Sequence, residues 1–219
     1  MVLLDIHTHN SSSDIYAADE DVISIISTTP LSYSSTQSYE NQYYSCGIHP
    51  WYSDNWAEQL DSLTSIMSHT NVVAIGEAGL DRLHGLDIDI QIEVFKQQIL
   101  LSEDLCKPII IHCVRAWDVL LALNKEMKPS QPWIVHGFRG KPQLAQQLLD
   151  ANMYLSFGER FNPESVRVTD ISKLFVETDE STTSIYNIYN NVAGVLNISV
   201  EDLAQHTMDN FTTVFKGIR

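Results

Sequence analysis

Eight short runs of apolar residues recur along the chain, and they constrain its fold more than any other feature of the sequence. They begin near residues 2, 22, 43, 72, 108, 132, 153 and 173. Each run is continuously apolar instead of alternating with polar residues, which is typical of parallel strands buried on both faces. The first expectation is therefore a sheet of about eight parallel strands.

Helical patterns separate the later runs. They extend over Trp56 to His69, Ile90 to Leu105, Trp117 to Met127, Pro142 to Ala151, and from Ser199 to Phe215. Strands that alternate with helices indicate βαβ units, and eight units favour an α/β fold of the (β/α)8 TIM-like barrel type. Residues 10–21 and 28–42 show no apolar stripe of helical period. We therefore expect a shortened barrel whose early outer helices are reduced or missing.

Length and composition narrow the classes of protein further. A chain of 219 residues without a Gly/Pro-rich linker predicts a single domain over residues 1–219. Its net charge of −15 disfavours electrostatic binding to long nucleic acid or to an anionic membrane. Three cysteines without disulfide or zinc-finger spacing, and an N-terminus without a signal pattern, predict a soluble cytoplasmic protein. The sequence indicates no obligate protein partner.

The first apolar run ends in a pair of histidines, His7 and His9. Residues at i and i+2 of a strand point to the same side, so both imidazoles can reach one metal ion. Taken alone, the pair is equally compatible with ordinary polar residues at a strand end.

Further imidazoles and carboxylates end the other apolar runs. These residues are Glu77, His112, His136, and the segment Glu177-Thr178-Asp179. The carboxyl ends of barrel strands form the face where such enzymes place their active sites. Buried charge at these positions is costly unless it is paired or bound to metal. The pattern therefore predicts a metal site on this face.

Other residues near these strand ends allow two interpretations. Arg82, Arg115 and Arg139 lie within five residues of Glu77, His112 and His136. They could form a cationic site for phosphate, or they could pair with surface carboxylates. Trp51 and Trp117 could stack on a base or pack at the barrel edge.

Taken together, these segments resemble the TatD-type metal-dependent hydrolases of the amidohydrolase superfamily. The matching segments are DIHTH (5–9), GIHPW (47–51), AIGEAGLD (74–81), QIEVFKQQILLSEDLCKPIIIHCVRA (91–116), VHGFRG (135–140), VETD (176–179) and AQHTMDNFTTVF (204–215). The resemblance extends from residue 3 to the end of the chain. It implies a metal-dependent phosphoesterase, typically a deoxyribonuclease acting on DNA.

The resemblance also assigns roles by position. His7, His9 and Asp179 would hold one divalent ion, Glu77 would bridge to a second, and His112 with His136 would complete the second site. His49, Arg82, Arg115 and Arg139 are expected to bind substrate.

The chemistry of these residue types agrees with the assignment. A carboxylate can span two ions about 3.5–4 Å apart, and a water between them loses its proton near neutral pH. Glu77 and Asp179 are the expected catalytic carboxylates, with Asp179 as the proton acceptor. The ligand types leave zinc, magnesium and manganese open. The expected substrate is a DNA end or a small phosphoester.

Two alternatives remain at this stage. Barrels of this type host many reactions, so the chain could instead cleave a C–N or lactone bond of a small molecule. It could also be a binding module that has kept the fold without catalysis. The sequence departs from the family after Asp179, where Glu180-Ser181-Thr182 stands in place of the usual proline, so substrate preference is open.

Overall fold

The computed structural model describes residues 1–10, 21–33 and 41–216, and all eight expected strands lie within them. The strands are β1 (Val2–Thr8), β2 (Asp21–Thr28), β3 (Gln42–Cys46), β4 (Val72–Asp81), β5 (Ile109–Val114), β6 (Trp133–Val135), β7 (Tyr154–Phe157) and β8 (Leu174–Val176). They form one sheet in sequence order. The pairs β1/β2, β3/β4, β4/β5 and β7/β8 are parallel, as continuous apolar runs predict.

The last strand leads back to the first. Just beyond β8, Asp179 forms a parallel bridge with Thr8 at the end of β1. The Asp179 N–H donates to the carbonyl of His7 at 2.9 Å, and the His9 N–H donates to the carbonyl of Asp179 at 3.1 Å. A parallel sheet in sequence order whose last strand meets its first is the (β/α)8 barrel, which confirms the expected fold class.

Seven α-helices lie within the described residues. They are α1 (Trp56–Ile66), α2 (Ile88–Leu105), α3 (Trp117–Met127), α4 (Pro142–Asp150), α5 (Pro163–Val168), α6 (Ile185–Leu196) and α7 (Val200–Val214). Five of them, α1 to α4 and α7, were expected from the sequence. Helix α7 is capped by Ser199, whose Oγ accepts the N–H of Asp202 at 3.0 Å. The early outer helices were expected to be missing from residues 10–21 and 28–42. Most of these residues, 11–20 and 34–40, lie outside the described part of the chain, so this expectation stays a prediction.

The chain divides into two compact units. The first unit comprises Met1–Ile26 and Val135–Arg219, and the second comprises Ser27–Ile134. The single-domain interpretation stays a prediction. No helix within the described ranges is long and apolar enough to cross a membrane.

In the first unit, helix α6 fixes strand β1 by packing and by hydrogen bonds. Tyr189 is fully buried, and its hydroxyl donates to the carbonyl of Leu4 at 2.9 Å. The same oxygen accepts the N–H of Leu4 at 3.3 Å. This helix therefore holds the strand that ends in His7 and His9.

In the second unit, helix α2 carries two buried glutamines that hold the ends of β3 and β4. Gln98 accepts the N–H of Ile48 at 2.7 Å and donates to its carbonyl at 3.1 Å. Gln91 does the same for Asp81, at 2.7 and 2.9 Å. Because buried backbone groups need partners, these two side chains fix the ends of the strands that carry polar residues.

Candidate metal centre

Two groups of metal-ligating side chains lie at the carboxyl ends of the strands, one in each unit. The first cluster is His7, His9 and Asp179, and the second cluster is His49, Glu77 and His112. In each cluster, one donor atom from every residue lies within 4.8 Å of the others. Imidazole nitrogens with carboxylate oxygens form a donor set suited to zinc, manganese or iron, so both clusters fit a divalent ion.

The first cluster has its donor atoms spaced apart and partly open to solvent. Asp179 Oδ1 lies 3.8 Å from His7 Nε2 and 3.6 Å from His9 Nε2. These separations are too long for hydrogen bonds, but they approach the ~3.4 Å expected between two ligands of one tetrahedral ion. The side chain of His9 is 39% exposed and that of Asp179 is 25% exposed, whereas His7 is buried. Water and substrate can therefore reach this cluster.

A second pair of residues adjoins the first cluster within the same unit. The rings of His136 and His7 lie 4.2 Å apart, and His136 Nδ1 is 3.4 Å from Glu177 Oε1. The backbone N–H of Gly137 also donates to this oxygen, at 2.7 Å. Burial opposes ionisation of Glu177, but the hydrogen bond to His136 and the charges of His136 and His7 act together in the opposite direction, and the pKa of Glu177 lies below its ordinary value. With Asp179, these two residues form another possible ligand group.

Asp5, in the DIHTH segment, is hydrogen-bonded to Thr178, the residue that precedes Asp179 of the first cluster. Its carboxylate accepts the backbone N–H of Thr178 at 3.0 Å and the hydroxyl of Thr178 at 2.6 Å. Complete burial raises the pKa of Asp5 to about 7, although the bonds from Thr178 favour the charged form. Asp5 therefore ties the strand that carries the two histidines to the residue before Asp179.

The second cluster is closed and joined by direct hydrogen bonds. Glu77 Oε1 lies 3.1 Å from His49 Nε2 and 2.7 Å from His112 Nδ1. The side chains of His49, Glu77 and His112 are 10%, 6% and 12% exposed. The Trp51 N–H donates to His49 Nδ1 at 3.1 Å, so a neutral His49 carries its proton on Nε2 and donates it to Glu77.

Asp81, at the end of β4, extends the second cluster. Its Oδ2 lies 3.2 Å from His112 Nε2 and accepts the indole N–H of Trp51 at 2.6 Å. Its Oδ1 accepts the N–H of Leu83 at 2.7 Å. Burial disfavours the charged form of Asp81, but these hydrogen bonds outweigh it and lower its pKa. This carboxylate fixes His112 from the side opposite Glu77.

Glycine at position 79 is what brings β4 and β5 close enough for this arrangement. Gly79 has φ of +147° and is paired with His112 in the sheet. A Cβ added to Gly79 would lie 2.0 Å from the carbonyl oxygen of His112. Only glycine fits here, so the segment GEAGLD can present both Glu77 and Asp81 to the same histidine.

The three arginines predicted to bind substrate differ in their surroundings. Arg82 forms a two-pronged ion pair with Asp118, at 2.7 and 2.8 Å, and donates to the carbonyl of Arg115 at 2.9 Å. Arg115 and Arg139 are exposed. The interpretation that a loop arginine pairs with a surface carboxylate therefore fits Arg82.

A cavity of about 330 Å³ lies beside the first cluster. Its lining residues are Arg139, Glu159, Arg160, Thr178, Asp179, Glu180 and Ser181. Glu159 accepts the hydroxyls of Thr183 and Ser181, each at 2.9 Å, and these bonds with the nearby arginine charges lower its pKa. The volume of this cavity is near the lower end of the ~300–1,000 Å³ range of ligand pockets.

The structure brings together most of the residues predicted from the sequence, within their own units. His7, His9, His136 and Asp179 converge in the first unit, and His49, Glu77 and His112 converge in the second. Sequence reasoning assigned no individual role to Asp81, Glu177 or Arg160, although Glu177 was among the polar residues noted at strand ends. Asp81 and Glu177 carry the same signal as the assigned residues, because each is a carboxylate at the end of an apolar strand.

The model of the family described as TatD related DNase matches residues 4–216. The chain belongs to this TatD family. The uncharacterized metal-dependent hydrolase YcfH of Escherichia coli K12 is 27% identical to it, over 98% of this chain and 96% of YcfH. A 3'-5' ssDNA/RNA exonuclease TatD from Klebsiella pneumoniae is 29% identical over 53% of this chain and 46% of that protein.

A solved TatD structure supports the assignment of the fold. The TatD homologue YjjV from Escherichia coli K12 superimposes with a TM-score of 0.83 and 20% sequence identity. The match covers 100% of this chain and 98% of YjjV. The resemblance seen in the motifs is thereby confirmed at the level of family and fold.

Proposed function

We propose that this TatD protein is a metal-dependent hydrolase that cleaves phosphodiester bonds at the end of a single-stranded nucleic acid. One observation carries the proposal: the metal-ligand candidate Asp179 lines the same cavity as Arg139 and Arg160. Metal and guanidinium groups side by side form a site for a phosphate. The relatives named as ssDNA/RNA exonucleases support this class of substrate.

His7, His9 and Asp179 would hold one divalent ion, and Glu77 with His112 would hold a second. The family resemblance adds His136 to the second ion and gives Glu77 a bridging role, and both assignments stay predictions. The ions would supply a water of lowered pKa and positive charge against the phosphate. His49 contacts Glu77 directly, so it orients that carboxylate in addition to its predicted role in substrate binding.

The chain's own residues divide the remaining tasks. Asp179 has a partly exposed carboxylate and is the proposed acceptor for the proton of the attacking water. Arg139 and Arg160, which line the same cavity as Asp179, would bind phosphate oxygens. Glu159 accepts hydroxyls from Ser181 and Thr183, so it holds the loop that departs from the family pattern in place beside this cavity.

Net charge favours an end over the middle of a long strand. A chain of net charge −15 repels a polyanion, so only the few phosphates beside the two arginines and the ions would be bound favourably. Binding to few phosphates also predicts a weak dependence of affinity on salt.

A substrate panel tests the proposal. Protein stripped with a chelator and then reloaded with Zn²⁺, Mn²⁺ or Mg²⁺ is assayed on an end-labelled single strand, the matching duplex, bis(p-nitrophenyl) phosphate, a lactone and a cyclic amide. We expect metal-dependent shortening of the single strand from an end. Hydrolysis of the lactone or the amide alone, or random internal nicking with a steep salt dependence, would contradict it.

A further inference from the structure

An exposed aromatic patch lies beside the second cluster, and the proposed mechanism does not use it. It consists of Trp51, Tyr52, Leu83 and His84, all in the second unit. Trp51 is 43% exposed, Tyr52 is 58% exposed and Leu83 is 52% exposed. By contrast, Trp133 of the same unit is 1% exposed and packs against Phe95. The patch is therefore unlike the apolar residues that form the core.

Trp51 is held firmly although much of its ring is in solvent. Its indole N–H donates to the buried carboxylate of Asp81, and its backbone N–H donates to His49. Its ring lies 5.1 Å from His49, 5.8 Å from His112 and 5.0 Å from His84. An exposed ring fixed in this way loses little further entropy when a ligand stacks on it.

The position and charge of the patch indicate which part of a substrate it binds. Its tryptophan ring contacts two residues of the second cluster, so a group bound there would lie next to that cluster. The adjoining Arg82 is already paired with Asp118. The patch would therefore contact a ligand mainly through the face of an aromatic ring, with little positive charge. If a metal ion in the second cluster binds a nucleotide phosphate, the flat aromatic group of that nucleotide is its base, and every base can stack on an aromatic side chain.

We propose that Trp51, with Tyr52 beside it, is a stacking platform for the terminal nucleobase of the substrate. This inference rests on the proposed function, because it assumes a nucleotide at the site. It adds a determinant of specificity: the enzyme would bind an end that carries a base more tightly than an abasic end.

A fluorescence titration tests the platform without requiring turnover. The probe is a hexathymidylate with phosphorothioate linkages and 2-aminopurine at one terminus, prepared separately for each end. Stacking on Trp51 should quench the 2-aminopurine fluorescence of at least one probe. Trp51→Phe keeps a ring but loses the bond to Asp81, whereas Trp51→Leu loses both.

We expect Trp51→Phe to retain most of the quenching and Trp51→Leu to lose it, with binding weakened roughly 10-fold. Tyr186→Ala removes a 39% exposed tyrosine from helix α6 of the other unit and serves as the matched control, which should bind like wild type. Absence of quenching in the wild-type protein, or equal loss in the Phe and Leu variants, would overturn the platform. Equal loss would mean that Trp51 only anchors Asp81.

Kinetics separate this inference from the proposed function. Wild-type protein should show a KM roughly 10-fold lower for a strand with a terminal base than for the same strand with a terminal abasic site. Trp51→Leu should bring the two KM values together, whereas the control Tyr186→Ala should keep the roughly 10-fold difference. Equal KM values in the wild-type protein would overturn the platform while hydrolysis stands. No hydrolysis of either strand would overturn the proposed function, and the quenching experiment would still decide the platform.

Discussion

The two clusters use the same types of side chain but differ in spacing and access. In the first, the carboxylate of Asp179 is 3.6–3.8 Å from two imidazoles and partly exposed. In the second, the carboxylate of Glu77 is 2.7–3.1 Å from two imidazoles and nearly buried. The first is spaced for an ion and open to reactants, whereas the second has its donors bonded to one another.

From this difference we expect the two clusters to have different roles. A metal in the second cluster has to replace hydrogen bonds, and its ligands are fixed by Asp81 and by the close contact at Gly79. A metal in the first cluster would face the cavity that contains the arginines. We therefore expect changes in the second cluster to affect stability and metal binding, and changes in the first to affect catalysis.

The largest expected effect on stability comes from Gly79→Ala. A methyl group 2.0 Å from the carbonyl oxygen of His112, at a positive φ, should lower the free energy of unfolding by about 3 kcal/mol or more. Urea unfolding in a chelator measures it without a contribution from metal binding.

The control is Gly194→Ala on helix α6, where nothing lies within 4 Å of the added carbon. This change should raise the free energy of unfolding by up to ~1 kcal/mol because alanine favours helix. A Gly79→Ala protein as stable as the control would show that β4 and β5 are not held as closely as described.

The next effect is on the rate, from Asp179→Asn. Asparagine keeps the size and one oxygen ligand but cannot accept the proton, so kcat should fall about 100-fold or more, a change of about 2.7 kcal/mol. Much of the metal should remain bound. Steady-state kinetics combined with metal analysis of the same sample test this, and near-normal activity in a metal-loaded variant would rule out Asp179 as the proton acceptor.

The smallest expected effect is on KM, and it distinguishes Arg139 from Arg82. Arg139→Ala should raise KM for a phosphoester about 5- to 10-fold with metal content unchanged, because Arg139 lines the cavity beside Asp179. Arg82→Ala should leave KM near its wild-type value, since that guanidinium already binds Asp118 on both prongs. Equal KM values for both variants would mean that the cavity does not bind the phosphate.

The strands, and the placing of histidines and carboxylates at their ends, could be predicted from the sequence because they depend on local patterns. Continuous apolar runs mark buried parallel strands, and a histidine or carboxylate at the end of such a run is costly without a partner. Helix α6 was not predicted from the sequence. Ile185, Ile188 and Val192 follow helical spacing, but the asparagines and the glycine of this segment are weak helix formers.

The detailed partners within the site could not be predicted. The pairing of Arg82 with Asp118 joins residues 36 positions apart, and nothing in the local sequence distinguishes it from an arginine that faces a phosphate. Arg160 was not predicted as a site residue for a similar reason. It lies in a loop after β7 and is brought to the cavity of Asp179 only by folding. Such contacts are set by tertiary structure, which local patterns do not encode.

Metal stoichiometry tests the central claim most directly. Metal content of purified protein, measured by inductively coupled plasma mass spectrometry, should be about two equivalents per chain, as expected for a two-metal site. His9→Ala should lose about one equivalent. Glu77→Ala should lose more than either His112→Ala or His136→Ala, because the family resemblance predicts that Glu77 binds both ions. A single equivalent in the wild-type protein, or equal losses of one equivalent in these last three variants, would contradict two ions that share Glu77.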